Sequence, residues 1–288
     1  MKTSTEIRSS AKYVGEEKAI ELIARAGFDG WDFSMLCMVN YNWATGEGSL
    51  SRHELCGDNY LKKVRAMKQV GIDNGIVCNQ SHAPYPTYCK TIRDTFERSL
   101  ECTAEAGASI CVVHPDNFKS AEENAELFFE LLPTAKKYGV NIAIENMCTW
   151  YEDRQSFGPT ACSDPSDFLA HLNILNDDNI VACLDVGHAS LKGIGTTPSE
   201  MIYALGNKLQ ALHLHDNDLL GDRHQLPFTM SIDFDSIAKA LADIGYGGYL
   251  TLESTCYTAK YNAENIFDAL CDMHAAAKRI SDMVESYK

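Results

Sequence analysis

Apolar and polar positions follow a regular rhythm in which short apolar runs alternate with amphipathic stretches. Residues 5–9 form a weak, short strand pattern, and residues 15–26 (GEEKAIELIARA) carry helical spacing that Gly27 stops. Residues 30–35 (GWDFSM) read as a strand, followed by a long polar insert with Gly46 and Gly48. Leu61, Val64, Met67 and Val70 recur every three residues and predict a helix over 58–70 that Gly71 ends. Further strands are expected at 76–82 (IVCNQSH), 109–114 (SICVVH), 140–146 (VNIAIEN), 179–185 (NIVACLD), 209–215 (LQALHLH) and 247–253 (GGYLTLE). Helices fill the intervals near 88–106 and 120–138, and from about 262 onward. Two more open at Ser163-Asp164-Pro165 and Thr197-Pro198, where a capping side chain precedes a first-turn proline.

The strands are near-continuous apolar runs, as expected when both faces of a sheet are covered. Eight strand–helix units in 288 residues predict an α/β fold, a closed (β/α)8 TIM barrel forming a single domain over 1–288. An open doubly wound sheet is the alternative. No GxGxxG or P-loop follows any strand, which weakens its nucleotide-binding versions.

Charge narrows the function. Forty acidic residues face 25 basic ones, giving a formal net charge of −15. A nucleic-acid grip needs a basic stripe to displace counterions, so no nucleic-acid partner is expected. An anionic membrane surface is equally unattractive, and no apolar run approaches the roughly 18 residues of a membrane span. The opening MKTSTEIRSS lacks the apolar segment of a signal peptide. The 11 cysteines are scattered without a CxxC pair, which fits a reducing cytoplasm and argues against a zinc ribbon or redox motif.

The chemistry collects where strands end. His82 (SHAPYP), His114 (VVHPD), Glu145 (IAIENM), Asp185 (CLDVGHA), His213 (LHLHDND) and Glu253 (LTLES) stand at or just past predicted strand ends. With His188, His215 and His224, these motifs and their loops hold six of the nine histidines. Taken singly, each has a bland reading: a hydrogen-bonded core histidine, or the first solvated residue after a strand. Together they differ, because buried carboxylates are costly unless paired or neutralised. A divalent cation neutralises them, and mixed imidazole–carboxylate ligation suits zinc, manganese, iron or cobalt.

In these motifs the chain resembles the xylose isomerase-like TIM barrels, especially the sugar phosphate isomerase/epimerase group. The resemblance spans about 30–255, with IENM, LDVGHA, HLHDND and LES in the family's order. It implies a shared metal site at Glu145, Asp185, His213 and Glu253, holding zinc, manganese, cobalt or magnesium. The H-x-x-D/E pattern of that group selects His213 over its neighbour His215. One ion is expected, with two or three as alternatives. The ligand pattern of the related endonuclease IV branch, which binds three zinc ions, also fits. It adds His82, His114, His188, Asp222 and His224, with Asp222-Arg223-His224 matching its D-x-H element. Relatives share the D-x-H, LP and ID elements of DRHQLPFTMSID, but Thr229-Met230-Ser231 replaces the usual Gly-rich turn.

The predicted rim loops carry few cations: Arg52 alone in 36–57, and Arg154 beside Glu152 and Asp153 in 147–163. A small carbohydrate or polyol substrate is therefore favoured over DNA. The resemblance implies interconversion of a ketose with its epimer or an aldose through a metal-stabilised enediolate, with Glu145 and Glu253 moving the proton. His188, Arg223 and Trp150 are candidate substrate contacts. Trp31, Trp43 and Tyr151 also flank rim loops and offer a wall for a sugar's apolar face. Lys192, Arg223 and Lys260 are the candidates for a phosphate clamp. A zinc phosphodiesterase of abasic DNA and a non-catalytic sugar- or metal-binding barrel are the competing readings. Dehydration is a neighbouring chemistry, and the resemblance also allows a homodimer.

Overall fold

A computed structural model describes all 288 residues. Eight parallel strands form the central sheet: β1 (Thr3–Glu6), β2 (Gly30–Ser34), β5 (Val77–His82), β6 (Ile110–Val113), β7 (Asn141–Glu145), β10 (Ile180–Asp185), β11 (Leu209–His213) and β12 (Leu250–Leu252). Two antiparallel hairpins stand apart, β3 (Val39–Asn42) with β4 (Glu47–Leu50), and β8 (Cys148–Tyr151) with β9 (Ser156–Pro159). The strands pair in the order β11-β10-β7-β6-β5-β2-β1-β12. The ring closes between β11 and β12, where the Leu214 N–H donates to Thr251 O (2.9 Å) and the Glu253 N–H to Leu214 O (2.9 Å). This is the predicted (β/α)8 barrel.

Alternation along the strands sets up two layers. Val112, Ala143, Val181, Cys183 and Ala211 form a small buried cluster on paired register positions. Strand geometry sends the residues two positions further to the same side, which places His114, Glu145, Asp185 and His213 over this floor. The larger core of 63 buried residues includes Trp31, Phe96, Phe128 and Phe168, as expected where helices cover the outer face of a barrel.

The element limits differ from expectation at several points. The first strand is Thr3–Glu6 rather than 5–9, and the last is only Leu250–Leu252. The helix expected to end at Gly71 runs on through Asp73. Gly71 is needed for close approach: a Cβ there would lie 3.1 Å from Ile76 O and 3.2 Å from Trp31 Nε1. The helix expected over 88–106 is two pieces, Lys90–Arg93 and Phe96–Ala106. The final helix begins at Ile266. Neither hairpin is expected from the sequence: Val39-Asn40-Tyr41-Asn42 does alternate apolar with polar, but over only four residues inside a polar insert, and Cys148-Thr149-Trp150-Tyr151 does not alternate throughout. Trp31, expected near the rim, is fully buried. All 11 cysteines are free thiols. No helix is long and apolar enough to cross a membrane.

Candidate active site

The strand ends deliver their polar side chains to one mouth of the barrel. His82, Glu145, Asp185 and His213 are the last residues of β5, β7, β10 and β11. His114 and Glu253 each follow a strand by one residue. His188 rides on the short helix Val186–Ser190, and Asp222 and His224 come from the loop after β11.

Three linked groups result. His82 Nε2 and His114 Nε2 approach Glu145 Oε2 at 3.3 and 3.0 Å and lie 3.0 Å from each other. His213 Nδ1 sits 3.1 Å from Glu145 Oε1 and 3.7 Å from Glu253 Oε2. Around Asp222, His188 Nε2 (3.4 Å) and His224 Nε2 (3.1 Å) face Oδ2, and His215 Nε2 lies 3.6 Å from Oδ1. Several of these groups place metal-capable atoms within 4.8 Å of one another, among them His82–His114–Glu145, His82–His213–Glu253 and Cys148–His188–Asp222.

The hydrogen-bond roles favour a cation. His82, His188 and His224 each donate their Nδ1–H to a backbone carbonyl, of Ala83 (2.7 Å), Asn146 (2.8 Å) and Glu253 (2.8 Å). In the neutral ring that leaves Nε2 a bare acceptor facing a carboxylate. Two acceptors repel unless a proton or a metal stands between them. Bonds of 2.0–2.1 Å in tetrahedral geometry set ligand atoms about 3.3 Å apart, close to the spacings found here. Asp222 Oδ1 and His215 Nδ1 are buried without a hydrogen-bond partner. The residues present therefore fit a divalent ion.

The charges follow the same logic. Burial opposes ionisation of Glu145, but His213 and His114 outweigh it and hold the carboxylate well below its ordinary range. Burial likewise opposes ionised Asp185, yet His188 and His215 pull it down to about 2. Asp222 is lowered against burial by His188 and His224. All three carboxylates are thus available as anionic ligands at neutral pH.

The expected ligand set divides in an unexpected way. His213 faces Glu145 and Glu253, whereas Asp185 is paired with His215, whose Nε2 lies 3.1 Å from Oδ1. Both histidines point into the barrel, as their two-residue spacing requires. His213 lies deeper, its Nε2 close to Gln80 Nε2 (3.2 Å) and Asp32 Oδ2 (3.4 Å). Gly187 makes room for His215, since a Cβ there would overlap the imidazole ring. Gly187→Ala is expected to displace His215 and lower affinity for a divalent ion by about 10–100-fold, checked by calorimetric metal titration.

The mouth opens into a cavity of about 380 Å³. Trp43 and Trp150 on the two hairpins line it, with Tyr85, His114, Glu145, His188 and Glu253. No lysine or arginine is among the lining residues. Arg223 is not brought to the cavity: its guanidinium turns to Asp218 (3.0 Å) and is half exposed. Lys192 and Lys260 are also absent from the lining, and so is Tyr151, whose hydroxyl donates to Pro159 O.

Sequence reasoning passed over several supports. Asn146 clasps Asp185 from both sides, accepting its N–H (2.7 Å) and donating to its carbonyl (2.9 Å). Asp32 and Gln80 anchor His213; Asp32 stands between apolar Trp31 and Phe33, whereas Gln80 lies in the polar run Asn79–His82. The loop without a Gly-rich turn is organised by Asp216, whose carboxylate accepts the N–H groups of Met230, Ser231 and Ile232 at 2.7–3.1 Å.

Comparison with known proteins places this architecture. A ketose 3-epimerase from Arthrobacter globiformis is 24% identical over 252 residues, covering 83% of this chain and 78% of that protein. The crystal structure of a D-tagatose 3-epimerase-like protein superposes with a TM-score of 0.72 at 20% identity, over 100% of this chain and 98% of the other. The structure of IOLI protein with a bound zinc atom gives 0.70 at 19% identity, over 100% and 99%. The family model of the xylose isomerase-like TIM barrel matches residues 20–277. The chain belongs to the xylose isomerase-like TIM barrel family.

Proposed function

We propose that this chain is a divalent-metal-dependent epimerase or isomerase of a small uncharged ketose. The observation that carries the reading is the pair Glu145 and Glu253, which flank His213 on a cavity lined by no cation. The ketose 3-epimerase relative and the zinc-bound IOLI protein support the reaction class and the ion.

Glu145, Glu253 and a histidine of β11 would hold the principal ion, with Asp185 beside them. When bound, it supplies Lewis-acid polarisation of the carbonyl and stabilises the enediolate. The chain's own groups do the rest. Glu145, held anionic in a buried place, removes the proton on the carbon beside the carbonyl. Glu253, one-fifth exposed, takes a proton from solvent and delivers it from its own side of the substrate, and Glu145 then gives up to solvent the proton it removed. Trp43 and Trp150 cover the sugar's C–H face and exclude water. His188, its Nδ1 held by Asn146 O, offers Nε2 to the cavity, for a substrate hydroxyl or for an ion shared with Asp222. The barrel and its two hairpins act as one domain over residues 1–288.

A zinc phosphodiesterase of abasic DNA would use the same convergence of histidines and carboxylates. The absence of lysine and arginine from the cavity lining disfavours it, because duplex affinity comes largely from neutralising phosphates with such cations. The test is to incubate zinc-, manganese- or cobalt-loaded protein with a ketohexose and ketopentose panel, and in parallel with an abasic duplex. Formation of an epimer or aldose, resolved by chromatography, with the duplex intact supports the proposal. Strand nicking without sugar conversion refutes it.

A further inference from the structure

We propose that Cys148 supplies a thiolate to a second divalent ion, held with His188, Asp222 and His224 on the wall of the cavity. This extends the metal-dependent reading above and concerns a residue outside the set that the resemblance implies.

Cys148 opens the hairpin strand β8, three residues past the barrel ligand Glu145. Its Sγ, a ring nitrogen of His188 and a carboxylate oxygen of Asp222 lie within 4.8 Å of one another. His224 Nε2 completes the group, 3.1 Å from Asp222 Oδ2. All four residues line the cavity, so an ion has a path in. Both imidazoles use their Nδ1–H on backbone carbonyls and aim Nε2 at the same carboxylate. Asp222 Oδ1 is in addition buried without a hydrogen-bond partner. A cation accepts the two nitrogens, the orphan oxygen and the sulfur together.

The donor set also states a preference. Three residues offering only oxygen would suit magnesium or manganese, whereas sulfur with two imidazoles suits a softer ion such as zinc or cobalt. The hairpin thereby ties the identity of the second ion to the same strand that carries Trp150 at the cavity rim.

Cobalt titration of the chelator-stripped full-length protein provides the test. A near-ultraviolet thiolate-to-cobalt charge-transfer band is expected to grow with the second equivalent and to vanish in Cys148→Ser and Cys148→Ala. The second equivalent should bind more than about tenfold more weakly in both variants, a loss comparable to removing even an outer partner of a metal ligand. X-ray absorption of the doubly zinc-loaded wild type should show one sulfur per two zinc ions at about 2.3 Å, a readout that does not depend on the variants folding. Bound metal with only nitrogen and oxygen neighbours, or a band that persists without Cys148, overturns the proposal and leaves the epimerase reading standing. Failure to bind any ion overturns both.

Discussion

Replacing Glu145 or Glu253 by glutamine is expected to lower the rate of sugar interconversion by about 10²–10⁴-fold, the range for loss of a general acid–base group. The two variants should differ in an informative way. Glu145 is buried and held anionic by His213 and His114, so its loss removes the carboxylate nearest to both imidazoles. Glu253 is one-fifth exposed and lies at 3.6–3.7 Å from His213 and His224. Glu253→Gln should therefore leave the thermal midpoint close to wild type, and Glu145→Gln should lower it. Steady-state kinetics with each epimer as substrate, paired with thermal melts, checks both expectations. Equal rates in wild type and both variants would remove these carboxylates from the chemistry.

Stripping the protein of divalent ions is the second large effect. Activity should disappear with a chelator and return with zinc, manganese or cobalt. Stability should fall as well, because the ion binds the folded cluster and not the unfolded chain. At a free ion concentration of 100 to 1,000 times Kd, binding contributes about 2.7–4.1 kcal/mol. For a chain of this size that corresponds to a drop of roughly 4–8 °C in thermal midpoint on chelation. The acidic excess gives this a direct cause. Glu145, Asp185, Asp222 and Glu253 supply four of the 40 acidic side chains, and they converge where cationic neutralisation matters most. Differential scanning calorimetry with and without chelator reads the shift, and a midpoint indifferent to metal would contradict the site.

The barrel was legible in the sequence because its signal is periodic. Apolar runs such as IAIE and VACLD end in a polar residue, and the strand end alone decides that His82, Glu145 and Asp185 meet at one mouth. Pairing across the mouth was not legible in the same way. HLHD offers two histidines on one face, and spacing cannot tell which carboxylate each will meet. Their partners come from β7, β10 and β12, so only the closed ring assigns Glu145 to His213 and Asp185 to His215. The two hairpins escaped for a different reason. VNYN alternates but runs for only four half-exposed residues, and CTWY is as short and alternates only in part, so both look like loops until paired. Arg223 shows the converse failure. It stands between two site residues, yet Asp218 draws its guanidinium away from the cavity. Its neighbours Asp222 and His224 face inward while it faces solvent.

The central claim is that Glu145 and Glu253 move a proton at the carbon beside a sugar carbonyl. Its most direct test is deuterium incorporation, with metal-loaded protein and a ketose in D2O followed by NMR and mass spectrometry. The account predicts one solvent deuterium at the epimerised carbon of the product, and loss of that exchange in Glu145→Gln and Glu253→Gln. Conversion without any solvent deuterium would show that hydrogen passes directly between carbons, and would contradict the proton-transfer account.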